Sequence, residues 1–230
     1  VDIPGTYSLM SNSREEEIAR NYICFGNPDA TVIILDATCI EKNLNLVFQT
    51  LEITNKVVVC VNLLDEAKEK NIEVNLKKLS ELLGVPVVGT IARKPKTLNN
   101  LLDVIYNVCC DKIVCSPKKI KYYPIIEDCI LMLSSHVQKI LSASKQYLTR
   151  WVCLKLIDKD DSIIDSIENA FDIKLLTDEV SLKLDEIKKL LEKNDITKNN
   201  LKDKIVSSIV FSAEDICNEV VNYKRSGYHN

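Results

Sequence analysis

The 230-residue chain carries 30 Lys and Arg against 33 Asp and Glu, for a formal net charge of −3, with 46% hydrophobic and 27% charged residues. That balance fits a globular protein of one large or two small domains and argues against nucleic acid as a partner. No apolar run is long enough to span a bilayer, and nine cysteines scattered through apolar segments read as reduced cytosolic thiols rather than a disulfide framework.

The chain opens on Val1-Asp2-Ile3-Pro4-Gly5, without an initiating Met and without the basic start and apolar core of a signal peptide. It reads as a piece of something longer. Asp2 and Gly5 form a D-x-x-G placed like the end of a strand. In phosphate-handling α/β proteins a carboxylate there reaches Mg²⁺ through water, and the glycine N–H approaches a terminal phosphate. A plain Pro-Gly turn is the simpler account of the motif alone. Ser13-Arg14-Glu15-Glu16 is a capping box that starts a helix with Ile18, Tyr22 and Ile23 on its apolar face. The acidic run after it suits a helix first turn better than a metal site.

Gly26-Asn27-Pro28-Asp29 closes that helix, and Thr31–Leu35 predicts a buried strand running into Asp36-Ala37-Thr38. A helix follows, marked by Leu44, Val47, Phe48 and Leu51. Val57–Val61 is a continuous apolar run with no polar alternation, the pattern of a parallel strand covered on both faces. It ends in Asn62 and Asp65, where parallel α/β sheets bind ligands. Guanine presents an N1–H and a 2-amino group side by side, and the Asp65 carboxylate would accept both. Asn62, carrying donor and acceptor, would face the N7 edge of the base and tie neighbouring loops together. Adenine offers no such donor pair. Taken alone, N-x-x-D is a weak pattern, and a turn capping the next helix explains it as well.

A lysine-rich helix with Leu76, Leu79, Leu82 and Leu83 inward is stopped by Gly84. Val85–Gly89 gives a third strand ending in Thr90-Ile91-Ala92-Arg93, and Leu98, Leu101, Leu102, Ile105 and Tyr106 mark a closing helix. Three strand–helix repeats predict a parallel α/β sheet over residues 1–116. From Lys118 the periodicity is helical only, with stripes that include Ile126, Leu133, Trp151, Ile167, Ile187 and Ile205. This predicts an all-α domain of four or five helices over 117–225 and a tail over 226–230.

The string Asp2-Ile3-Pro4-Gly5-Thr6-Tyr7-Ser8-Leu9, with Asp36-Ala37-Thr38, Glu41-x-Asn43-Leu44 and Asn62-Leu63-Leu64-Asp65-Glu66-Ala67, resembles the cytosolic G domain of the FeoB family of bacterial ferrous-iron transporters. Tyr123-Pro124-x-Ile126-Glu127 and Arg150-Trp151-x-x-Leu154-Lys155-Leu156 resemble that family's helical domain. The resemblance covers nearly the whole chain. It implies a Ras-like P-loop GTPase sheet followed by a helical domain, with GTP or GDP and Mg²⁺ as cofactors. Asp65 would read guanine and Asn62 brace it, with Thr90, Ile91 and Ala92 forming the loop over the base and the Ala92 N–H donating to O6. Asp2 would be linked to Mg²⁺ through water, and Gly5 would sense the γ-phosphate. Ile91 stands where the loop usually has Ser. Thr6 stands where Ras-like enzymes place a water-orienting Gln, so hydrolysis would be slow.

No G-x-x-x-x-G-K-[ST] occurs in the sequence. We therefore expect the phosphate loop and first switch ahead of Val1, a G domain that is incomplete here, an opened hydrophobic edge beside Thr31–Leu35, and poor nucleotide binding by this chain alone. The resemblance further implies a membrane permease domain of the same polypeptide beyond Asn230, a place on the cytoplasmic face of the bacterial inner membrane, and leaves a homo-oligomer open. A degenerate, non-hydrolysing G-domain scaffold and a translation- or tRNA-type GTPase are the alternatives. Cys109, Cys110 and Cys115 lack metal-site spacing. His136 and His229 read as unremarkable helix and tail residues, and Tyr122-Tyr123 after Lys118, Lys119 and Lys121 as a linker.

Overall fold

The computed structural model describes residues 1–10 and 13–224. Contacts divide the chain into two units, Val1–Lys119 with the chain from Phe211 onward, and Ile120–Val210.

The first unit is built around β2 (Val57–Asn62), which lies between β1 (Thr31–Asp36) and β4 (Val87–Gly89) in a parallel sheet of order β1-β2-β4. The register runs from Thr31 opposite Val57 to Asp36 opposite Asn62, and from Val59 opposite Val87 to Val61 opposite Gly89. Val57 to Val61 are all buried, as a strand covered on both faces requires. On the β2–β4 side, α5 (Pro95–Cys109) packs Leu101, Val104, Ile105 and Val108 against Val58 and Val88. The helix α2 (Ile40–Ile53) buries Leu44, Val47, Phe48 and Leu51. β1 is not the fully buried strand that its apolar run predicts, but it lies at the edge of the sheet, as expected beside Thr31–Leu35. Ile33 and Leu35 are buried, but Val32 and Ile34 on the other face are 37% and 67% exposed. It is an edge strand with one face covered, so its second apolar face stays open.

The opening helix α1 (Arg14–Phe25) starts where the capping box places it, the Ser13 hydroxyl accepting the Glu16 N–H at 3.2 Å. Past β2 the chain is more broken than its periodicity suggests. A short α3 (Leu64–Glu69) and a three-residue β3 (Ile72–Val74) precede α4 (Leu76–Leu83). β3 pairs antiparallel with β5 (Val221–Tyr223) at the far end of the chain. The ladder is extended by Asn75 N–H to Val220 O and Lys224 N–H to Asn71 O, both 2.8 Å, and flanked by Lys78–Glu219 and Lys224–Glu73 ion pairs at 3.1 and 2.5 Å.

α4 ends at Gly84 with φ +71°, and a Cβ there would lie 2.0 Å from the Ser116 carbonyl oxygen. Gly84→Ala is therefore expected to destabilise the chain by about 2 kcal/mol through left-handed strain and that clash. A lowered urea midpoint at unchanged m-value would register it; an unchanged midpoint would contradict it.

The second unit comprises α6 (Pro124–Ile140), a 3-10 turn (Ala143–Leu148), α7 (Thr149–Asp158), α8 (Asp161–Phe171), α9 (Asp178–Lys193) and the first part of α10 (Lys198–Val220). The stripes expected from sequence line its core: Ile126, Cys129, Leu133 and Val137 from α6, Trp151 and Leu154 from α7, Ile167, Val180, Ile187, Leu201 and Ile205 from the rest. Thr177 and Asp160 cap α9 and α8 through their side chains. Arg150 closes a fork on Glu127, Nη1 to Oε2 at 2.6 Å and Nη2 to Oε1 at 2.8 Å. No helix among the described residues is long and apolar enough to cross a membrane.

Candidate functional site

Three loops meet where β1, β2 and β4 end, and Asn62 holds them together. Its side-chain Oδ1 accepts the Thr90 hydroxyl and the Ala92 N–H, each at 3.1 Å. Its backbone oxygen accepts the Ala37 N–H at 3.0 Å. Thr90 is buried, its N–H bonded to Val61 O at 2.8 Å and its hydroxyl 3.2 Å from Cys60 Sγ.

The turn from Asn62 into α3 is strained. Leu63 has φ 62° and ψ 32°, a left-handed conformation uncommon for a bulky side chain, and no side-chain cap bond offsets it. Such strain concentrates at functional sites. It places Asp65 in the first turn of α3. Gly89 makes room for this close approach, since a Cβ there would lie 2.5 Å from Leu64 Cδ1 and 2.6 Å from Leu76 Cδ1.

Asp65 Oδ1 accepts the Glu66 N–H at 3.1 Å, and Oδ2 accepts Arg93 Nη2. Partial burial pushes the carboxyl pKa up, but the Arg93 guanidinium and the backbone N–H outweigh it and hold the group below the usual carboxylate range. The loop over this site is pinned by Thr97, which sequence reasoning missed. Its hydroxyl accepts the Ile91 N–H at 3.1 Å and donates to Lys94 O at 2.8 Å. Thr97 lies in the first turn of α5 behind Pro95, so the helix-start pattern was the available signal. Asn43 does the same for the β1 loop, its Oδ1 accepting the Asp36 N–H at 2.7 Å. Asp36 in turn accepts the Thr38 N–H at 2.7 Å. Burial raises the Asp36 pKa, yet the Thr38 bonds, the Cys39 thiol and the Lys70 charge carry it lower.

The structure thus brings Asn62, Asp65, Thr90, Ile91 and Ala92 into one cluster. Thr6 joins its margin, lining a cleft of about 240 Å³ with Tyr7, Ile34, Asp36, Asn62 and Leu63. Gln49 of α2 anchors this opening segment by accepting the Leu9 N–H at 2.6 Å. Asp2 and Gly5 are exposed and lie outside any strand, and nothing comes within 4 Å of where a Gly5 Cβ would sit.

The other sequence candidates have structural partners. All nine cysteines are free thiols, and Cys115 Sγ donates to Val57 O at 3.6 Å. Among the described residues no group of three or more His, Cys, Asp or Glu side chains could hold a metal. His136 sits 3.3 Å from Glu179. Tyr122 is buried under Arg150, and Lys204 lies over the Tyr123 ring at 4.5 Å, so neither ring forms an open patch. His229 lies outside the described residues.

Comparison with known proteins converges on one family. The model of Ferrous iron transport protein B matches residues 1–105, and that of the FeoB cytosolic helical domain matches residues 122–222. A Porphyromonas gingivalis Fe(2+) transport protein A/Fe(2+) transporter FeoB fusion protein is 32% identical over 163 residues, 70% of this chain and 19% of that protein. The Escherichia coli K12 Fe(2+) transporter FeoB is 37% identical over 105 residues, 44% of this chain and 14% of that protein. The chain therefore spans only a minor part of these relatives. Among solved structures, a GDP-bound mutant of S. thermophilus NFeoB overlays with a TM-score of 0.77 at 24% identity, covering 96% of this chain and 80% of that one. The apo cytosolic domain of T. maritima FeoB gives 0.75 at 22% identity, covering 96% and 79%.

Proposed function

The chain belongs to the FeoB family, residues 1–105 matching its G-domain part and 122–222 its cytosolic helical domain, and we propose that it reads guanine nucleotide for a ferrous-iron transporter. The observation that supports this best is the Asn62–Thr90–Ala92 cluster with the Asp65 carboxylate beside it at the ends of parallel strands. On this reading Asp65 accepts the N1–H and 2-amino donors of guanine. Asn62 keeps Thr90 and Ala92 in place, and the Ala92 N–H passes from Asn62 Oδ1 to the O6 of the base.

In the parent protein the reaction is in-line attack of water on the γ-phosphate of GTP, with backbone amides such as that of Gly5 stabilising charge on the phosphoryl oxygens. Thr6, the residue after it, carries a hydroxyl that donates to Ser8 O at 2.6 Å; on this reading it would orient water poorly and hydrolysis would be slow. Asp2 is an exposed carboxylate at the opening of the chain; it would help hold Mg²⁺ through water, the ion supplying charge to offset that of the phosphates. We place the chain at the cytoplasmic face of the bacterial inner membrane, where its nucleotide state would regulate a permease domain of the same polypeptide.

The test is base preference. Titrating this chain with GDP and with ADP should perturb the NMR signals of Asn62, Asp65 and Ala92 at GDP concentrations at least about tenfold below those of ADP. Equal responses to the two nucleotides would remove the reading.

A further inference from the structure

The groups that would meet guanine are engaged with each other. Asp65 Oδ2 takes Arg93 Nη2, and the Ala92 N–H is held by Asn62 Oδ1 at 3.1 Å. The two partners of the ion pair are unequal. The Asp65 side chain is 17% exposed, whereas that of Arg93 is 69% exposed and comes to it from the solvent side. A guanidinium offers a carboxylate two parallel N–H donors, the same edge that guanine presents with N1–H and its 2-amino group.

Resting on the base-reading role of Asp65 given above, we propose that Arg93 is a built-in competitor for guanine. Its guanidinium occupies the carboxylate in the place of the base, and guanine binds by displacing it. The surroundings suit an exchange of the side chain alone. Thr97 ties down the backbone on both sides of Arg93, at Ile91 and at Lys94, so the loop keeps its path when the guanidinium leaves. Glu66 and Glu69, exposed on α3, already act on the Arg93 charge and offer it a second place to rest. Asp65 also keeps its Glu66 N–H bond on Oδ1 and remains oriented for the incoming base. Arg93 thereby sets how readily nucleotide enters and leaves, without touching phosphate.

A purely structural role predicts the opposite sign. If Arg93 only fastened the loop to α3, its loss would loosen the Thr90–Ala92 segment and weaken base binding. The experiment titrates the 230-residue chain with guanosine and with adenosine, uncharged probes on which salt acts only through the protein. Chains carrying Arg93, Arg93→Ala and Arg93→Lys are compared by NMR. As the competitor, Arg93→Ala tightens guanosine binding about two- to fivefold, the range of a mostly exposed ion pair, and Arg93→Lys falls between. Raising the salt concentration tightens guanosine binding to the native chain and leaves Arg93→Ala unchanged. Guanosine preference that survives with affinity unchanged or weakened in Arg93→Ala overturns the competitor alone. Loss of any guanosine-over-adenosine preference in every chain overturns the base-reading role of Asp65, and the competitor with it.

Discussion

Asp65→Asn is expected to turn the base preference from guanine to xanthine. In the proposed role the carboxylate would accept two donors from guanine, whereas an amide offers only one acceptor oxygen with an NH₂ facing the 2-amino group. Each charge-assisted bond lost is about a tenfold loss. Xanthine carries a 2-oxo group, which accepts from that same NH₂. The GDP-to-XDP affinity ratio should therefore swing by about a hundredfold or more in competition titrations. The α3 turn should survive, because an Asn oxygen also accepts the Glu66 N–H now held by Oδ1 at 3.1 Å. An unaltered ratio would mean that some other side chain reads the base.

The second large effect lies in the helical unit. Glu127 accepts two bonds from Arg150 and the Tyr122 N–H at 2.7 Å, while Arg150 also donates to Ile120 O at 3.0 Å and lies over the Tyr122 ring. Their side chains are only 27% and 25% exposed, so removing one charge leaves the other poorly solvated. Glu127→Gln should cost about 2–3 kcal/mol at neutral pH, measured as loss of helical CD in urea. The pH dependence is also fixed in sign. Burial raises the Glu127 pKa, but Arg150, the Tyr122 N–H and Lys121 pull it below its ordinary value. Its contribution is complete above the unfolded value of about 4.3 and is lost as pH falls through the lower folded value. The gap between native and Glu127→Gln chains should narrow below about pH 4; a constant gap would point to lost packing instead.

What sequence could show here was whatever local chemistry decides. Five consecutive apolar residues from Val57, four of them β-branched valines, made β2 plain, because such a run suits a strand buried on both faces. Ser13 and Glu16 marked the start of α1 because a cap is a contact between near neighbours. The helical stripes around Leu133 and Ile187 followed from a period of 3.6. β3 and β5 were invisible for the opposite reason. Each is a three-residue strand, and the partner that makes Ile72–Val74 a strand lies at Val221–Tyr223. The left-handed Leu63 carries no Gly or Asn to announce it. Arg93 was legible as a loop residue but not as a partner of Asp65, since a tertiary contact across two loops leaves no periodic trace.

The antiparallel ladder between β3 and β5 has a mechanical consequence. Tyr223 faces Ile72, and Lys224 N–H is bonded to Asn71 O, so the end of β5 is fastened just past the α3 helix that begins at Leu64. Tension applied at Lys224 loads the Asn71 bond first and the Val221–Val74 pair last, peeling the ladder open from the side nearest Asp65. A tug on Lys224 is thus felt beside α3, the helix that carries Asp65, before it is felt anywhere else along that seam.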